Sequence, residues 1–213
     1  MATAVGKKFP DLNVDAMNEM GDTFKVNVLE EAVNNKKKVL LFWYPKDFTF
    51  VCPTELHAFQ AALGEFKKRN TIVIGASCDT PEVHFAWLNT PKDNGGIEGV
   101  TYPILADSNR NLSSILGILD ITNEIYDEAT GTVQVEGDNV SYRATYIIDE
   151  DGLVQHESIN NMPLGRNVNE YLRLIDALTH VQEKGEVCPA NWEEGKDAMK
   201  ADRKGTADYL ASH

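Results

Sequence analysis

A chain of 213 residues that is 42% hydrophobic and 25% charged has the length and composition of a globular protein with one substantial core. Its net charge of −13 argues against non-specific binding to nucleic acid or to anionic membranes, because both attract basic surfaces. The sequence has no apolar run as long as a membrane span and no secretory leader at its start, so we expect a cytoplasmic protein.

Strands and helices alternate along the first part of the chain, as is typical of an α/β fold. The apolar runs KVLLFWY and TIVIGAS each predict a buried strand. Pro53 begins a predicted helix, and Thr80 begins another as its N-cap, with Pro81 at the first helical position. The first of these helices has apolar residues at spacings of three and four, namely Leu56, Phe59, Leu63 and Phe66.

The second part of the chain completes this pattern. YRATYIID and LVQHESI flank a predicted hairpin turn at 150–152, and NVNEYLRLIDALTHVQEKG predicts a long helix that ends near Gly185. Residues 121–141 are polar and rich in turn formers, which predicts a surface insertion. The pattern predicts a mostly parallel central sheet with helices on both faces and an antiparallel hairpin near its end. We assign residues 1–185 to one domain and residues 186–213 to a polar C-terminal arm.

The cysteines at positions 52, 78 and 188 are too far apart in sequence for a CxxC redox motif. In a reducing compartment such cysteines are more typical of buried, metal-binding or redox-active thiols than of structural disulfides. No cysteine pair has zinc-finger spacing, and the five histidines form no HExxH or HxH motif. A metal site is therefore only weakly supported.

Cys52 lies at the junction between the first predicted strand and the helix that follows it. Pro53 suits the first helical turn, so Cys52 is at or beside the N-cap. There the unpaired N–H groups and the positive end of the helix dipole favour an anion. Open α/β folds also place their sites at the carboxyl ends of sheet strands. This position favours a reactive thiolate over a buried, inert thiol.

The other two cysteines have different surroundings. Cys78 ends the second predicted strand, and we interpret it as a buried structural thiol. Cys188 lies in the polar arm directly before Pro189, where an extended segment would let its thiol meet another sulfur. If Cys188 pairs with Cys52, the pairing is tertiary or intermolecular, and the residues alone do not choose between the two.

Longer segments around these cysteines carry a family resemblance. YPKDFTFVCPTE resembles the active-site segment of the typical two-cysteine peroxiredoxins, whose PxxxTxxC signature is present as Pro45, Thr49 and Cys52. GEVCPANW is similar to the resolving-cysteine segment of the same family, which includes the peroxidase component of bacterial alkyl hydroperoxide reductase. The likeness runs from about Val5 to Leu210, nearly the whole chain.

The resemblance implies a thioredoxin-like α/β fold, with a central mixed β-sheet flanked by helices. It implies a peroxidase that needs no metal, haem, flavin or other cofactor. The peroxidatic Cys52 would attack a peroxide oxygen and become a sulfenic acid. The hydroxyl of Thr49 would face the sulfur, and Pro45 would shield it and shape the pocket.

Three charged residues complete the implied site. Arg143 matches the catalytic arginine of the family, and its fixed positive charge would stabilise the thiolate and hydrogen-bond the peroxide. Glu55 and Arg166 match positions in a supporting ion-pair network. Without the resemblance, Arg143 would be interpreted as a solvated residue at a strand end.

The resemblance also implies the rest of the catalytic cycle. The resolving Cys188 would condense with the sulfenic acid to a Cys52–Cys188 disulfide between the two subunits of a homodimer, and five dimers often form a ring-shaped decamer. Thioredoxin or a flavoprotein disulfide reductase would reduce this disulfide. The expected function is antioxidant reduction of hydrogen peroxide and organic hydroperoxides.

Three segments depart from the commonest family pattern. NGGIEGV has one residue more, Glu98, than the GGLG loop of peroxiredoxins prone to overoxidation, and Tyr209-Leu210 stands where those proteins have Tyr-Phe. Both elements slow the opening of the active-site helix in such proteins, so we expect an intermediate sensitivity to sulfinic acid formation. The insertion at 121–141 is also longer than the corresponding family loop.

Two other functions stay open as alternatives. A general thiol–disulfide oxidoreductase could use the same fold, although such enzymes place a second cysteine one helical turn away, in the CxxC motif that this sequence lacks. An oligomeric chaperone or scaffold would depend on assembly rather than on chemistry, and an acidic chain with a polar arm is compatible with that.

Overall fold

The computed structural model describes residues 3–213, which form two compact units, one ending at Arg166 and the other comprising Asn167–His213. The first unit contains the strands. They are β1 (Asn13–Met17), β2 (Thr23–Asn27), β3 (Lys38–Trp43), β4 (Thr71–Ser77), β5 (Ile104–Ala106), β6 (Asn123–Asp127), β7 (Thr132–Glu136), β8 (Arg143–Ile148) and β9 (Val154–Asn160).

Seven of these strands form one sheet in the order β2-β1-β5-β4-β3-β8-β9. The pairs β3–β4 and β4–β5 are parallel, and the other neighbours in this sheet are antiparallel. The prediction of a central mixed sheet is confirmed, whereas the expectation of a mostly parallel sheet is wrong. The reason is that β1 and β2 on one side, and β8 and β9 on the other, add antiparallel strands to a parallel centre of three strands.

The helices of the first unit flank this sheet. They are α1 (Val28–Asn35), α2 (Cys52–Ala61), α3 (Leu63–Lys68), α4 (Pro81–Leu88) and α5 (Asn111–Leu116). The single helix predicted after Pro53 is divided at Ala62, whose φ of −90° and ψ of 0° depart from helical values. The predicted cap of α4 is confirmed, because the Thr80 side chain accepts a hydrogen bond from the N–H of Val83.

Strand β3 is buried along its whole length and contributes to the core on both faces. Val39, Leu41 and Trp43 belong to the main apolar cluster of the unit on one face. On the other face the ring of Phe42 stacks on Phe59 of α2, with the ring centroids 4.1 Å apart. This contact fixes α2 against the centre of the sheet, so the helix that begins at Cys52 has a rigid base.

Two hairpins differ in their environment. The predicted hairpin turn at 150–152 joins β8 to β9, and Gly152 occupies it with a φ of +80°. A Cβ atom at Gly152 would lie 2.2 Å from Leu29 Cδ1, so the turn also needs the small residue for space. The segment 121–141 contains the two-stranded sheet of β6 and β7, whose side chains are mostly exposed.

The second unit contains two helices, and the second of them lies within the C-terminal arm. They are α6 (Val168–Lys184) and α7 (Arg203–Ser212). Gly185 ends α6 in the left-handed conformation with a φ of 66°, as the sequence predicts. Between the helices, Val187 and Met199 form an antiparallel bridge, and Trp192 is buried. The domain boundary near residue 185 stays a prediction.

No helix in the described part of the chain is both long enough and apolar enough to cross a bilayer.

Candidate active site around Cys52

Cys52 is the first residue of α2, as the position of Pro53 in the sequence predicts. Its side chain is fully buried, with 0% relative exposure. The N-cap residue is Val51, whose side chain has no group that could bond the free N–H groups of the first turn. The sulfur therefore lies at the positive end of the helix, where negative charge is stabilised.

The loop before Cys52 places the hydroxyl of Thr49 on the sulfur. Thr49 Oγ1 lies 3.0 Å from Cys52 Sγ and 2.8 Å from the carbonyl oxygen of Lys46. A hydroxyl has one proton, so it donates either to the carbonyl oxygen of Lys46 or to the sulfur. While it donates to the carbonyl, its oxygen can still accept a hydrogen bond from the Cys52 thiol. Thr49 can thus accept from a thiol or donate to a thiolate without moving.

The backbone of this loop is strained at Phe48, which has a φ of +54° although it is bulky and aromatic. Such a conformation costs about 1–3 kcal/mol and persists only where the surroundings enforce it. Here the N–H of Asp47 donates to Asp79 Oδ2 at 2.9 Å, and the ring of Phe48 packs on Trp87 with centroids 5.8 Å apart. The loop is therefore fastened on both sides of the strained residue.

Arg143, the first residue of β8, directs its guanidinium at the same sulfur. Its Nη1 lies 3.4 Å from Cys52 Sγ, and its Nε donates to the carbonyl oxygen of Met162 at 2.6 Å. Only 3% of Arg143 is exposed. The interpretation of this arginine as a solvated strand-end residue, which the sequence alone favours, is therefore wrong. Its guanidinium lies beside the sulfur, and its catalytic role stays a prediction.

Glu55 holds two guanidinium groups in the site. Arg143 Nη1 donates to Glu55 Oε2 at 2.6 Å, and Arg166 donates to both carboxylate oxygens, from Nε at 2.9 Å and from Nη2 at 2.8 Å. The Arg166 guanidinium also lies over the ring of Phe42, 5.0 Å from its centroid. Because one carboxylate faces two cations, positive charge is left beside Cys52, and negative charge on the sulfur is favoured.

Pro45 and Cys188 are the other two predicted site residues. Pro45 is buried directly after β3, at the start of the loop that contains Thr49. Cys188 lies in the second unit and is half-buried, with its Sγ 3.7 Å from the carbonyl oxygen of Ala177. Burial raises the pKa of the Cys188 thiol, which the positive charge of Arg173 opposes.

Cys78 is a buried thiol with different neighbours, as the sequence predicts. Its Sγ lies 3.7 Å from Ser113 Oγ, and the residue is 8% exposed. Burial raises the pKa of the Cys78 thiol above its ordinary value, and the nearby Asp107 carboxylate adds to this effect. A raised pKa favours the neutral thiol, which is a poor nucleophile.

A buried network below the active-site loop is not foreseen by the sequence analysis. Asp47 accepts hydrogen bonds from the Tyr44 hydroxyl at 2.7 Å and from His84 Nδ1 at 2.8 Å, and the other ring nitrogen of His84 lies 3.2 Å from the carbonyl oxygen of Leu105. Burial raises the pKa of Asp47, which the contact with His84 opposes. The network anchors the loop before Thr49 to α4 and β5.

The sequence contained one signal for this network. Asp47 is a carboxylate within an aromatic segment that follows a buried strand, so it needed a buried partner. His84, by contrast, is 37 residues away in a helix with no pattern that marks it. Within residues 3–213, no cluster of three or more His, Cys, Asp or Glu side chains is placed to hold a metal ion.

Comparison with known proteins gives consistent results over nearly the whole chain. Residues 5–157 match the model of the AhpC/TSA family, and residues 177–212 match the C-terminal domain of 1-Cys peroxiredoxin. Alkyl hydroperoxide reductase C of Helicobacter pylori is 41% identical over 209 residues, which cover 97% of this chain and 96% of that protein.

Solved structures agree with these sequence matches. The reduced 2-Cys peroxiredoxin of Plasmodium vivax is 40% identical with a TM-score of 0.86, covering 99% of this chain and 100% of that chain. Thioredoxin peroxidase I of Plasmodium yoelii is 38% identical with a TM-score of 0.71, covering 88% of this chain and 98% of that chain.

The chain belongs to the AhpC/TSA family of peroxiredoxins. Its thioredoxin-like fold and its class, a thiol-dependent peroxidase of the typical two-cysteine type, are confirmed. The alternatives of a general thiol–disulfide oxidoreductase and of a pure scaffold are not favoured.

Proposed function

We propose that this peroxiredoxin reduces hydrogen peroxide and organic hydroperoxides with Cys52 as the peroxidatic cysteine and Cys188 as the resolving cysteine. The observation that supports it most directly is the position of Cys52 Sγ between Thr49 Oγ1 at 3.0 Å and Arg143 Nη1 at 3.4 Å. A thiol held between a hydroxyl and a guanidinium has both an activated nucleophile and donors for the second reactant.

In the first step the Cys52 thiolate attacks the terminal oxygen of the peroxide. A sulfur–oxygen bond forms and the oxygen–oxygen bond breaks, so Cys52 keeps one oxygen as a sulfenic acid. The other half of the peroxide leaves as hydroxide or alkoxide and takes a proton to become water or an alcohol. Negative charge develops on the leaving oxygen during this step. In this proposal Arg143 and the hydroxyl of Thr49 donate hydrogen bonds to the two oxygens, and Pro45 shields the sulfur and shapes the pocket.

In the second step the Cys188 thiolate attacks the sulfur of the sulfenic acid. A disulfide forms, and the hydroxyl leaves as water after it takes a proton. We infer that the two sulfurs come from opposite subunits of a homodimer, and that five dimers form a ring. A dithiol reductase reopens the disulfide, either thioredoxin or a flavoprotein disulfide reductase, and the name of the related Plasmodium yoelii enzyme supports thioredoxin.

We place this cycle in the cytoplasm. The spacing of Cys52, Cys78 and Cys188 in the sequence is more typical of buried or redox-active thiols than of structural disulfides, which fits a reducing compartment. A peroxidase that is recycled by external thiols also needs a reduced thiol pool beside it.

The experiment that tests this function adds one equivalent of hydrogen peroxide to the reduced protein and follows its products by non-reducing gel and intact mass. Wild type should give a covalent dimer, and Cys52→Ser and Cys188→Ser should not. Cys78→Ser is the matched control and should behave like wild type. A disulfide within one chain would contradict the intersubunit assignment alone, and an unoxidised Cys52 would overturn the proposed function.

A further inference from the structure

Two basic segments of this acidic chain meet at one end of the main sheet. They are residues 36–38 and 67–69, which together hold six of the 20 lysines and arginines in a chain of net charge −13. The N–H of Lys38 donates to the carbonyl oxygen of Asn70 at 3.1 Å, and the Asn70 side-chain amide donates to the carbonyl oxygen of Lys36 at 2.9 Å. The fold therefore places side by side two basic segments that are distant in sequence.

Four of the six basic side chains have carboxylate partners. These are the pairs Lys36–Asp151, Lys38–Glu150, Lys68–Glu65 and Arg69–Glu65, at distances of 3.9, 2.7, 2.7 and 3.0 Å. Lys37 and Lys67 are exposed, and neither forms an ion pair with any residue that the structure describes. The end of the sheet thus has two positive charges that no protein carboxylate neutralises.

Lys37 and Lys67 line the same cavity, which has a volume of about 480 Å³. This volume is in the range of sites that bind small organic molecules. The cavity lies at the amino ends of β3 and β4, whereas Cys52 follows the carboxyl end of β3. No acidic residue is among the described residues that line it. It is therefore separate from the candidate active site and carries a net positive charge.

The wall of this cavity is largely apolar and is fixed by the core. The apolar residues that line it are Leu63, Ile72, Val73, Tyr102 and Pro103. The Tyr102 hydroxyl donates to the carbonyl oxygen of Leu56 at 2.8 Å, and the Tyr102 ring packs edge-on against Phe42 with centroids 5.8 Å apart. Because its polar end is bonded inside the protein, Tyr102 presents an apolar surface in a fixed position.

The polar side chains of the cavity other than the lysines are bonded to the protein. The Asn70 amide donates to Lys36, as above, and the Thr71 hydroxyl donates to the carbonyl oxygen of Arg69 at 3.1 Å. The Thr101 hydroxyl accepts a hydrogen bond from the side-chain amide of Gln60 at 3.1 Å. The two ammonium groups are therefore the charged donors that a ligand would meet, and an ammonium binds an anion as a point charge.

We propose that this cavity binds a small organic anion with an apolar body, of the class of medium-chain carboxylates. The carboxylate lies between the ammonium groups of Lys37 and Lys67, and the chain lies against Val73 and Tyr102. An inorganic anion would leave the apolar wall in contact with water. A nucleic acid or a membrane needs an extended basic surface, and here carboxylates already neutralise four of the six basic side chains.

Equilibrium dialysis of radiolabelled carboxylates against the full-length reduced protein tests this site. Octanoate is the probe, and butyrate and hexanoate measure the contribution of the chain. Lys37→Gln and Lys67→Gln each remove one of the two unpaired charges at an exposed position. Lys68→Gln is the matched control, because Lys68 is the next residue of α3 and pairs with Glu65. Arg143→Gln tests whether octanoate binds at the candidate active site instead.

The site predicts a specific pattern of affinities, with one octanoate bound per chain. Lys37→Gln and Lys67→Gln should each weaken octanoate binding about five-fold, the factor of one favourable exposed ion pair, and Lys68→Gln and Arg143→Gln should keep the wild-type affinity. The affinity should rise about four-fold for each methylene group added from butyrate to octanoate.

Four results would overturn the inference. They are the absence of octanoate binding to wild type at 10 mM, equal weakening in all three lysine variants, equal affinity for butyrate and octanoate, and loss of binding in Arg143→Gln. The second result would indicate a diffuse basic surface, the third a site for charge alone, and the fourth binding at the candidate active site. None of these results depends on the peroxidase cycle, so the proposed function is tested separately.

Discussion

Cys52 and Cys78 are both buried thiols of the same compact unit, and they differ in the charges that face them. Cys52 is 0% exposed and has a guanidinium nitrogen at 3.4 Å and a hydroxyl at 3.0 Å. Cys78 is 8% exposed, has the hydroxyl of Ser113 at 3.7 Å, and has its pKa raised by burial and by the charge of Asp107. The two thiols are thus similarly buried, but a positive charge lies beside Cys52 and a negative charge acts on Cys78.

Under the proposed function, the charges beside a thiol, rather than its exposure, distinguish the nucleophile from the inert thiol. Burial alone disfavours a thiolate. At Cys52 the guanidinium of Arg143 lies beside the sulfur, and Glu55 pairs with both Arg143 and Arg166 so that the two cations can be buried. The four predictions that follow test this comparison, beginning with the largest expected effect.

Replacing each of the two thiols tests the comparison most directly. We expect Cys52→Ser to lower the rate of peroxide consumption by at least about 1000-fold, because the nucleophile is removed. Cys78→Ser should retain activity within about two-fold, because a buried structural thiol takes no part in the reaction. Stopped-flow measurement of peroxide consumption distinguishes the two. An essential Cys78 would break the comparison.

Removing the charge beside Cys52 should have the next largest effect. Arg143→Gln should lower the second-order rate constant with peroxide by about 100- to 1000-fold, the range for loss of one preorganised donor to a developing anion. Arg143→Lys should recover only part of it, since lysine cannot bond Glu55, Met162 and the sulfur from one planar group. The control substitution is Arg69→Gln. Arg69 pairs with Glu65 on the surface of the first unit, so this substitution should leave the rate constant unchanged.

The hydroxyl at 3.0 Å from the sulfur should contribute less than the guanidinium. Thr49→Val should lower the same rate constant by about 10- to 100-fold, as expected for a hydrogen bond to a charged group. Thr49→Ser keeps the hydroxyl and should stay within a few-fold of wild type. The ratio between the two variants in a stopped-flow assay measures the hydroxyl itself, and a ratio near one would show that the β-branched shape matters instead.

The third thiol extends the comparison through pH. Burial raises the pKa of the Cys188 thiol, so its thiolate fraction at neutral pH is small. As long as the pH stays below that pKa, this fraction grows about ten-fold for each unit by which the pH rises. Disulfide formation after one equivalent of peroxide should therefore accelerate about ten-fold between pH 7 and pH 8. Because Arg173 opposes the rise in pKa, Arg173→Gln should slow this step at pH 7 and less so at high pH. A rate of disulfide formation that does not change with pH would contradict the assignment of the Cys188 thiolate as the attacking group.

Much of this architecture could be predicted from the sequence, because local patterns determine it. Pro53 fixed the start of α2, Gly185 the end of α6, and the apolar runs indicated β3 and β4. The antiparallel strands β1 and β2 were missed, because each has only five residues and neither is a continuous apolar run like those of β3 and β4. Strand order likewise depends on contacts between distant segments, which no local pattern contains.

The candidate site divides in the same way. Cys52 could be located from its place before a helix, since that argument needs only its neighbours in sequence. Arg143 is 91 residues from Cys52, and from its own neighbours it resembles a surface residue, so only the family resemblance indicated its position. The Asp47–His84 contact carries no motif, and it became visible only with the tertiary structure.

Trp87 contacts both of the loops that border the active-site helix. Its ring packs on Phe48 of the loop before Cys52, and its indole N–H donates to the carbonyl of Gly95. Indole emission depends on such contacts with neighbouring rings and hydrogen-bond acceptors, so Trp87 is a built-in optical reporter at the site. In a chain where Trp43 and Trp192 are replaced by phenylalanine, its fluorescence would report any change in its contacts with either loop, in real time and without an added dye.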